Sequence, residues 1–215
     1  LAIVGRPNAG KSTLVNALLK QERMLAGPVA GLTRESIATM WDVDGHKIEL
    51  VDTPGMRKKA KVVEGLEQMS VGSALIAIAR CEAAILVLDA NMPFENQDVA
   101  VAERVVDEGK PLVIALNKWD EVEDKDECLK DLEYRLHHKF SQVRGIPVIP
   151  ISALKGKNLE KLLPAVINLH EKWSTRLGTA LLNRFLEGTT EANPPPMRKN
   201  RRVKLKFMSQ VATCP

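Results

Sequence analysis

The sequence predicts an α/β domain of three layers, with helices on both faces of a mostly parallel sheet. Three observations predict it. Strand-like apolar runs alternate with helix-length amphipathic segments from residue 1 to about 172. The runs AAILVLD at 83–89, PLVIALN at 111–117 and IPVIPIS at 146–152 carry no polar alternation, which marks strands covered on both faces. The first run, LAIV at 1–4, leads straight into a glycine-containing loop and then a helical pattern from Ser12 to Leu19.

The remaining elements follow from the same signals. Candidate strands at 36–43 and 46–51 flank a turn containing Asp44 and Gly45, a hairpin signal. Helices are expected over 64–80, 95–108, 124–139 and 158–172. The first places Val71, Leu75, Ile78 and Ala79 near one stripe; the last does the same with Leu159, Leu162, Leu163, Val166 and Leu169. Pro93 precedes the helix starting near Glu95, and Pro164 is expected to bend or delimit a turn. Crossovers between parallel strands are right-handed by rule, and ligands collect at the carboxyl ends of the strands.

Composition changes after Glu171. Residues 175–188 can form a short helix carrying Leu177, Leu181, Leu182 and Phe185, and PPP at 194–196 stops regular structure. Beyond it, Val203, Leu205 and Phe207 alternate with Arg202, Lys204 and Lys206, a strand pattern with one apolar and one basic face. The expected division is a domain over 1–172, then a linker and an incomplete second α/β domain over 173–215.

Whole-chain properties exclude several classes. The hydrophobic content of 45% is ordinary for a globular protein. No apolar run reaches the roughly 18 residues of a membrane span, since Arg80, Glu82 and Asp89 interrupt the longest one. No membrane partner is therefore expected. Cys81, Cys128 and Cys214 are scattered, without metal or disulfide spacing, which fits a reducing cytoplasm. The chain opens on a strand already under way and closes on ATCP, so a piece of a longer protein is expected. Net charge is only +4, but basic residues cluster at Arg57, Lys58, Lys59 and Lys61, and again at Arg198, Lys199, Arg201, Arg202, Lys204 and Lys206. Each cluster is either a solvated face or a contact for an anionic partner.

Chemistry concentrates in five short pieces. GRPNAGKST, comprising Gly5, Arg6, Pro7, Asn8, Ala9, Gly10, Lys11, Ser12 and Thr13, has the G-x-x-x-x-G-K-S spacing of a phosphate-binding P-loop. Its glycines let backbone N–H groups wrap phosphate, Lys11 reaches the β- and γ-phosphates, and Ser12 can ligate magnesium. The helix behind the loop points its positive end at the same place. DTPG, Asp52–Gly55, ends the next candidate strand. Asp52 is placed to hold magnesium and Gly55 offers a backbone N–H to the γ-phosphate. Between these pieces GLTR holds Thr33, whose hydroxyl and carbonyl can complete the magnesium shell, or whose hydroxyl can simply bond local backbone.

The base is read elsewhere. In NKWD, Asp120 can accept two hydrogen bonds from the N1–H and exocyclic amine of guanine, a pair that adenine lacks. Asn117 can tie the base loop to the phosphate loop, the Lys118 stem can cover the base, and Trp119 is read as packing. In SAL, backbone N–H groups of Ser152, Ala153 and Leu154 can meet guanine O6. Met56 follows DTPG where a water-orienting glutamine would serve, so phosphate transfer falls to Lys11, Thr33, Asp52 and magnesium. The side-chain carbonyl of Asn8 can bind a monovalent cation near the β/γ bridge, which implies slow hydrolysis accelerated by potassium.

Taken together, GRPNAGKST, GLTR, DTPG, NKWD and SAL resemble the bacterial Der or EngA double-GTPase family, in particular its second GTPase domain. RKKAKV at 57–62, LEQMSVGSALIAIARCEAAILVLDA and TALLNRFLE at 179–187 support that resemblance. The stretch from PPPMRKN to the end is similar to the opening of the family's KH-like domain, although no GXXG loop occurs in it. The resemblance implies a Ras-like P-loop fold and a cytoplasmic, ribosome-associated GTPase that acts in large-subunit (50S) assembly. It implies contacts to ribosomal RNA, and to a first GTPase domain and a completed KH-like domain that lie outside this chain. It also matches Asn8 to a potassium-associated asparagine, Lys11, Ser12, Thr33 and Asp52 to phosphate and magnesium residues, and Asn117 and Asp120 to the guanine readers. Two other readings fit the same motifs. One is a regulatory GTP-binding module with negligible turnover; the other is a GTPase of tRNA modification or membrane-linked transport.

Overall fold

The computed structural model describes residues 1–21, 40–43, 45–51, 71–197 and 203–214. Two compact units divide the chain, residues 1–170 and 171–215. Several expectations fall outside the described residues: the strand over 36–39, the helix over 64–70, GLTR with Thr33, Asp52 to Gly55, Met56, and the basic residues at 57–61 and 198–202.

In the first unit, β1 (Ala2–Val4), β4 (Ala84–Asp89), β5 (Leu112–Asn117) and β6 (Val148–Pro150) form a sheet in the order β1-β4-β5-β6. Every neighbouring pair is parallel, and Asp89 lies in register with Asn117 at the carboxyl ends of β4 and β5. All of β5, and β4 up to Leu88, is buried. That is the outcome the unbroken apolar runs called for, since helices cover both faces of such strands. An antiparallel hairpin of β2 (Met40–Val43) and β3 (His46–Glu49) stands apart from this ladder. The turn residue Gly45 donates its N–H to Asp42 Oδ1 at 3.2 Å. Just after the hairpin, Val51 donates to the Leu1 carbonyl at 2.8 Å, which ties it beside the start of β1.

The helices are α1 (Lys11–Gln21), α2 (Val71–Arg80), α3 (Asn96–Asp107), α4 (Lys125–Lys139), α5 (Leu162–Ser174) and α6 (Thr179–Ala192). Leu14 and Leu18 of α1, Ile78 of α2, Val105 of α3, Leu132 of α4 and Leu162 of α5 bury against the sheet strands in one core. Asp124 caps α4 by accepting the Glu127 N–H at 2.9 Å. The carboxyl end of α2 is closed from a distance: Lys110 Nζ donates to the carbonyls of Ile78 at 2.6 Å and Ala79 at 2.8 Å. A cation there satisfies orphan carbonyls and complements the helix dipole. Lys110→Met is expected to lower stability by about 1–2 kcal/mol. Urea denaturation checks this, and an unmoved midpoint would show the cap to be inert.

Two expectations are corrected. Pro164 does not delimit the helix; it is the third residue of α5, where its missing N–H is one of the donors that go unused anyway. A 3₁₀ turn at Leu159–Lys161 leads into that helix. In the second unit, residues 203–213 form no strand, and Leu205 and Phe207 are exposed together with Lys204 and Lys206. Alternation creates a strand only where a partner edge exists. Here the segment is held by side-chain amides instead. Asn183 of α6 accepts the Met208 N–H at 2.9 Å and donates to the Met208 carbonyl at 3.1 Å, and Gln210 accepts the Leu177 N–H at 2.7 Å.

Candidate nucleotide site

The carboxyl ends of β1, β4, β5 and β6 deliver their following loops to one end of the sheet. Gly5 leaves β1 at φ +147°, and a Cβ there would run into the Val87 carbonyl oxygen of β4. Gly10 closes the loop at φ +93°, and its Cβ would strike Nδ2 of Asn117. Between them Asn8 is left-handed, at φ 63°, a conformation asparagine accepts more readily than most side chains. Left-handed residues spaced through a loop bend the backbone into an anion-binding concavity.

The first residues of α1 complete that concavity. Lys11 is 2% exposed and its Nζ donates to the Arg6 carbonyl at 2.7 Å, so the ammonium is folded across its own loop. Ser12 beside it is buried as well. A buried ammonium and hydroxyl at a helix amino terminus suit an anion accompanied by a cation. Pro7, Asn8 and Thr13 are exposed, and Ala9 is buried. The Arg6 side chain points away from this cradle. It donates from Nη2 to the Met92 carbonyl at 2.6 Å and lies with Nε 2.9 Å from Asp98 Oδ2, so only its backbone remains for a phosphate.

Asn117 joins the two halves of the site. It is 3% exposed at the end of β5, donates from Nδ2 to the Ala9 carbonyl at 2.9 Å, and accepts the Ala153 N–H on Oδ1 at 2.9 Å. One side chain thus fixes the phosphate loop and the SAL loop at once. The Ala153 N–H, read from sequence as a donor to guanine O6, is taken up in this contact.

Charge is ordered around the base loop. Lys118 is left-handed at φ 63°, uncommon for a long side chain, and its Nζ lies 2.5 Å from Asp89 Oδ2. Burial pushes the Asp89 carboxyl up, but hydrogen bonds from Lys118 and Asn91 outweigh it and hold the group below the usual carboxylate range. Asp120 is engaged by the Ser152 hydroxyl and by Lys155, whose Nζ is 3.0 Å from Oδ2, and together they bring its pKa down to about 2. Ser152 is itself buried and accepts the Lys155 N–H at 3.1 Å. Trp119 packs partly buried against the core and donates its backbone N–H to Ile151, the packing role expected of it.

The described candidates, Gly5 to Thr13, Asn117 to Asp120 and Ser152 to Leu154, therefore meet at one end of the sheet. A cavity of about 460 Å³ opens beside them between α1 and the SAL loop, lined by Thr13, Asn16, Ala17, Ala153, Leu154, Lys155 and Gly156. Three supporting residues escaped the sequence reading. Asp89 orients Lys118, Lys155 holds Asp120, and the left-handed Asn158 donates to the Pro150 carbonyl at 2.8 Å, shaping the SAL loop. Asp89 carried a signal, an acid closing a buried strand at its carboxyl end, and so did Lys155, directly after SAL.

Comparison with known proteins adds identity to this geometry. The family described as 50S ribosome-binding GTPase matches residues 1–118, more than half of the chain. The chain belongs to that family. The KH-domain-like family, C-terminal in EngA bacterial GTPase enzymes, matches residues 176–215. GTPase Der of Brucella melitensis biotype 2 is 49% identical over all 215 residues, and GTPase Der of Mesorhizobium japonicum is 48% identical over the same length. The resemblance to Der and EngA seen in the motifs thus extends along the whole chain. The chain spans 44% of the Brucella protein and 45% of the Mesorhizobium protein. Among solved structures, Era in complex with MgGDPNP and a piece of 16S ribosomal RNA is 30% identical, with a TM-score of 0.56 over 78% of this chain and 55% of that one. An Aquifex aeolicus Era variant bound to GDP and AlF4⁻ is 27% identical, with a TM-score of 0.54 over the same shares. These likenesses place the domain among the α/β P-loop GTPases.

Proposed function

We propose that this chain binds GTP in a magnesium-dependent site, hydrolyses it, and acts as a switch in assembly of the large ribosomal subunit. The observation that carries the reading is the Asn117 bridge, with the ionised Asp120 three residues beyond it. A carboxylate kept charged and oriented beside a phosphate-loop tie is what discrimination for guanine requires. Lys11 takes the β- and γ-phosphates, the backbone from Gly5 to Gly10 wraps them, Lys118 covers the base, and the SAL loop closes around it. Ser12 fits a magnesium ion, being a buried hydroxyl in the first turn of α1, with Asp52 and Thr33 as the other ligands. Bound there, the cation offsets charge on the transferring phosphoryl group. The Gly55 N–H supports the γ-phosphate.

Asn8, exposed and left-handed at the outer bend of the loop, is the residue assigned to potassium. The domain that does this work runs over 1–172, and 173–215 starts the KH-like domain. Ribosomal RNA, the first GTPase domain and the rest of the KH-like domain are the partners in a cytoplasmic setting. The names of the matching families and the RNA-bound Era complex support that context.

Single-turnover hydrolysis of GTP and ATP, in magnesium with either potassium or sodium, tests the reading. GTP is expected to turn over in preference to ATP, and faster in potassium. Equal rates in the two salts would remove Asn8 from catalysis, and equal use of ATP would remove the guanine assignment.

A further inference from the structure

Five polar or charged residues are buried among the described residues: Lys11, Ser12, Asp98, Asn117 and Ser152. Four of them belong to the phosphate and base loops. The fifth, Asp98, lies in the first turn of α3 and is 0% exposed. Its Oδ2 accepts the Glu95 N–H at 3.1 Å and pairs by charge with Arg6 Nε at 2.9 Å, while Oδ1 and Arg6 Nε have no hydrogen-bond partner. Helix capping alone does not explain this, because an exposed carboxylate would cap α3 without the desolvation cost that burial imposes.

The partner gives the explanation. Arg6 is the second residue of the phosphate loop, and its guanidinium is held from two sides, by Asp98 and by the Met92 carbonyl. The Arg6 backbone carbonyl is in turn the acceptor for Lys11 Nζ. A short relay therefore runs from the Asp98 carboxylate through the Arg6 guanidinium and peptide to the Lys11 ammonium. We propose that Asp98 is a positioning residue for phosphate recognition: by clamping Arg6 it fixes the carbonyl that sets where Lys11 meets the β-phosphate. This rests on the assignment of Lys11 above. Asp98 is the buried side of the clamp; the Arg6 side chain is 20% exposed, and its stiffness comes from the planar fork being engaged at two places.

The test compares GDP, GMP and inosine diphosphate as competitors against a fluorescent GDP on the 215-residue chain. Asp98→Asn is expected to reduce the GDP-to-GMP affinity ratio by about ten- to a hundredfold, the scale of a small misplacement of a binding group. The GDP-to-inosine-diphosphate ratio, which reports base reading, is expected to hold. Arg6→Lys, which keeps a cation beside Asp98, is expected to show the same selective loss to a smaller degree. Lys11→Ala is the control. If it leaves the GDP-to-GMP ratio intact, the assignment of Lys11 fails and the relay with it. If Lys11→Ala collapses the ratio and Asp98→Asn does not, the inference about Asp98 alone is overturned. An equal fall in both ratios, or failure of both Asp98→Asn and Arg6→Lys to fold by circular dichroism, would make the pair purely structural and overturn it too.

Discussion

Asp120→Asn is expected to weaken GDP binding by about 10²–10³-fold and to raise the affinity for xanthosine diphosphate. On the proposed reading, the carboxylate offers two acceptors to the N1–H and exocyclic amine of guanine. An amide keeps one acceptor for N1–H but turns a donor toward the amine, two donors face to face. Xanthine carries a carbonyl at that position, so the amide fits it. The local geometry favours a clean exchange. Asp120 is braced by Ser152 and by Lys155 at 3.0 Å, and both are side-chain donors that an asparagine oxygen can still receive. The pH dependence has a definite sign. A carboxyl held down to about 2 stays charged until the solution nears that value, so between pH 8 and pH 5 GDP affinity should not fall through this group. Competition titrations with GDP and xanthosine diphosphate read the exchange. An unchanged ratio would show that Asp120 does not read the base.

What was legible in the sequence followed from local physics. β4 and β5 came through within a residue of their ends, because an apolar run bounded by polar residues allows few alternatives once both faces are covered. The phosphate loop was legible for a similar reason: two glycines at fixed spacing before a helix have φ values few other residues tolerate. Helix ends were less secure. The short helix expected over 175–188 is displaced: α6 starts at Thr179 and continues to Ala192, with Thr189 and Thr190 hydroxyls donating back to Phe185 and Leu186, and ends before the prolines. The contacts that finish the site were not legible at all. Lys118 with Asp89 and Lys155 with Asp120 join the ends of neighbouring strands, and Arg6 with Asp98 joins the end of β1 to the first turn of α3, so only the tertiary arrangement brings these charges together. Several of these residues stand in or beside a recognisable motif, but nothing in the sequence names the partner each one meets.

The junction of the two loops should show strong coupling when Gly10 and Asn117 are changed together. Asn117→Ala is expected to cost about 2–4 kcal/mol, because it leaves the buried Ala9 carbonyl and Ala153 N–H without their partner. Gly10→Ala is expected to cost a similar amount, about 2–4 kcal/mol, from φ +93° and from a methyl group set against the Asn117 amide. In Gly10→Ala with Asn117→Ala the second substitution removes the atom that the new methyl would strike. The double variant should therefore be more stable than the summed single losses predict, by about 1 kcal/mol or more. Urea unfolding of the four proteins measures this directly. Strict additivity would mean that the glycine is required for its own backbone angle and owes nothing to Asn117. Sub-additivity would mean that the phosphate loop has its tight closure because the base loop reaches into it, so that neither half of the site is built without the other.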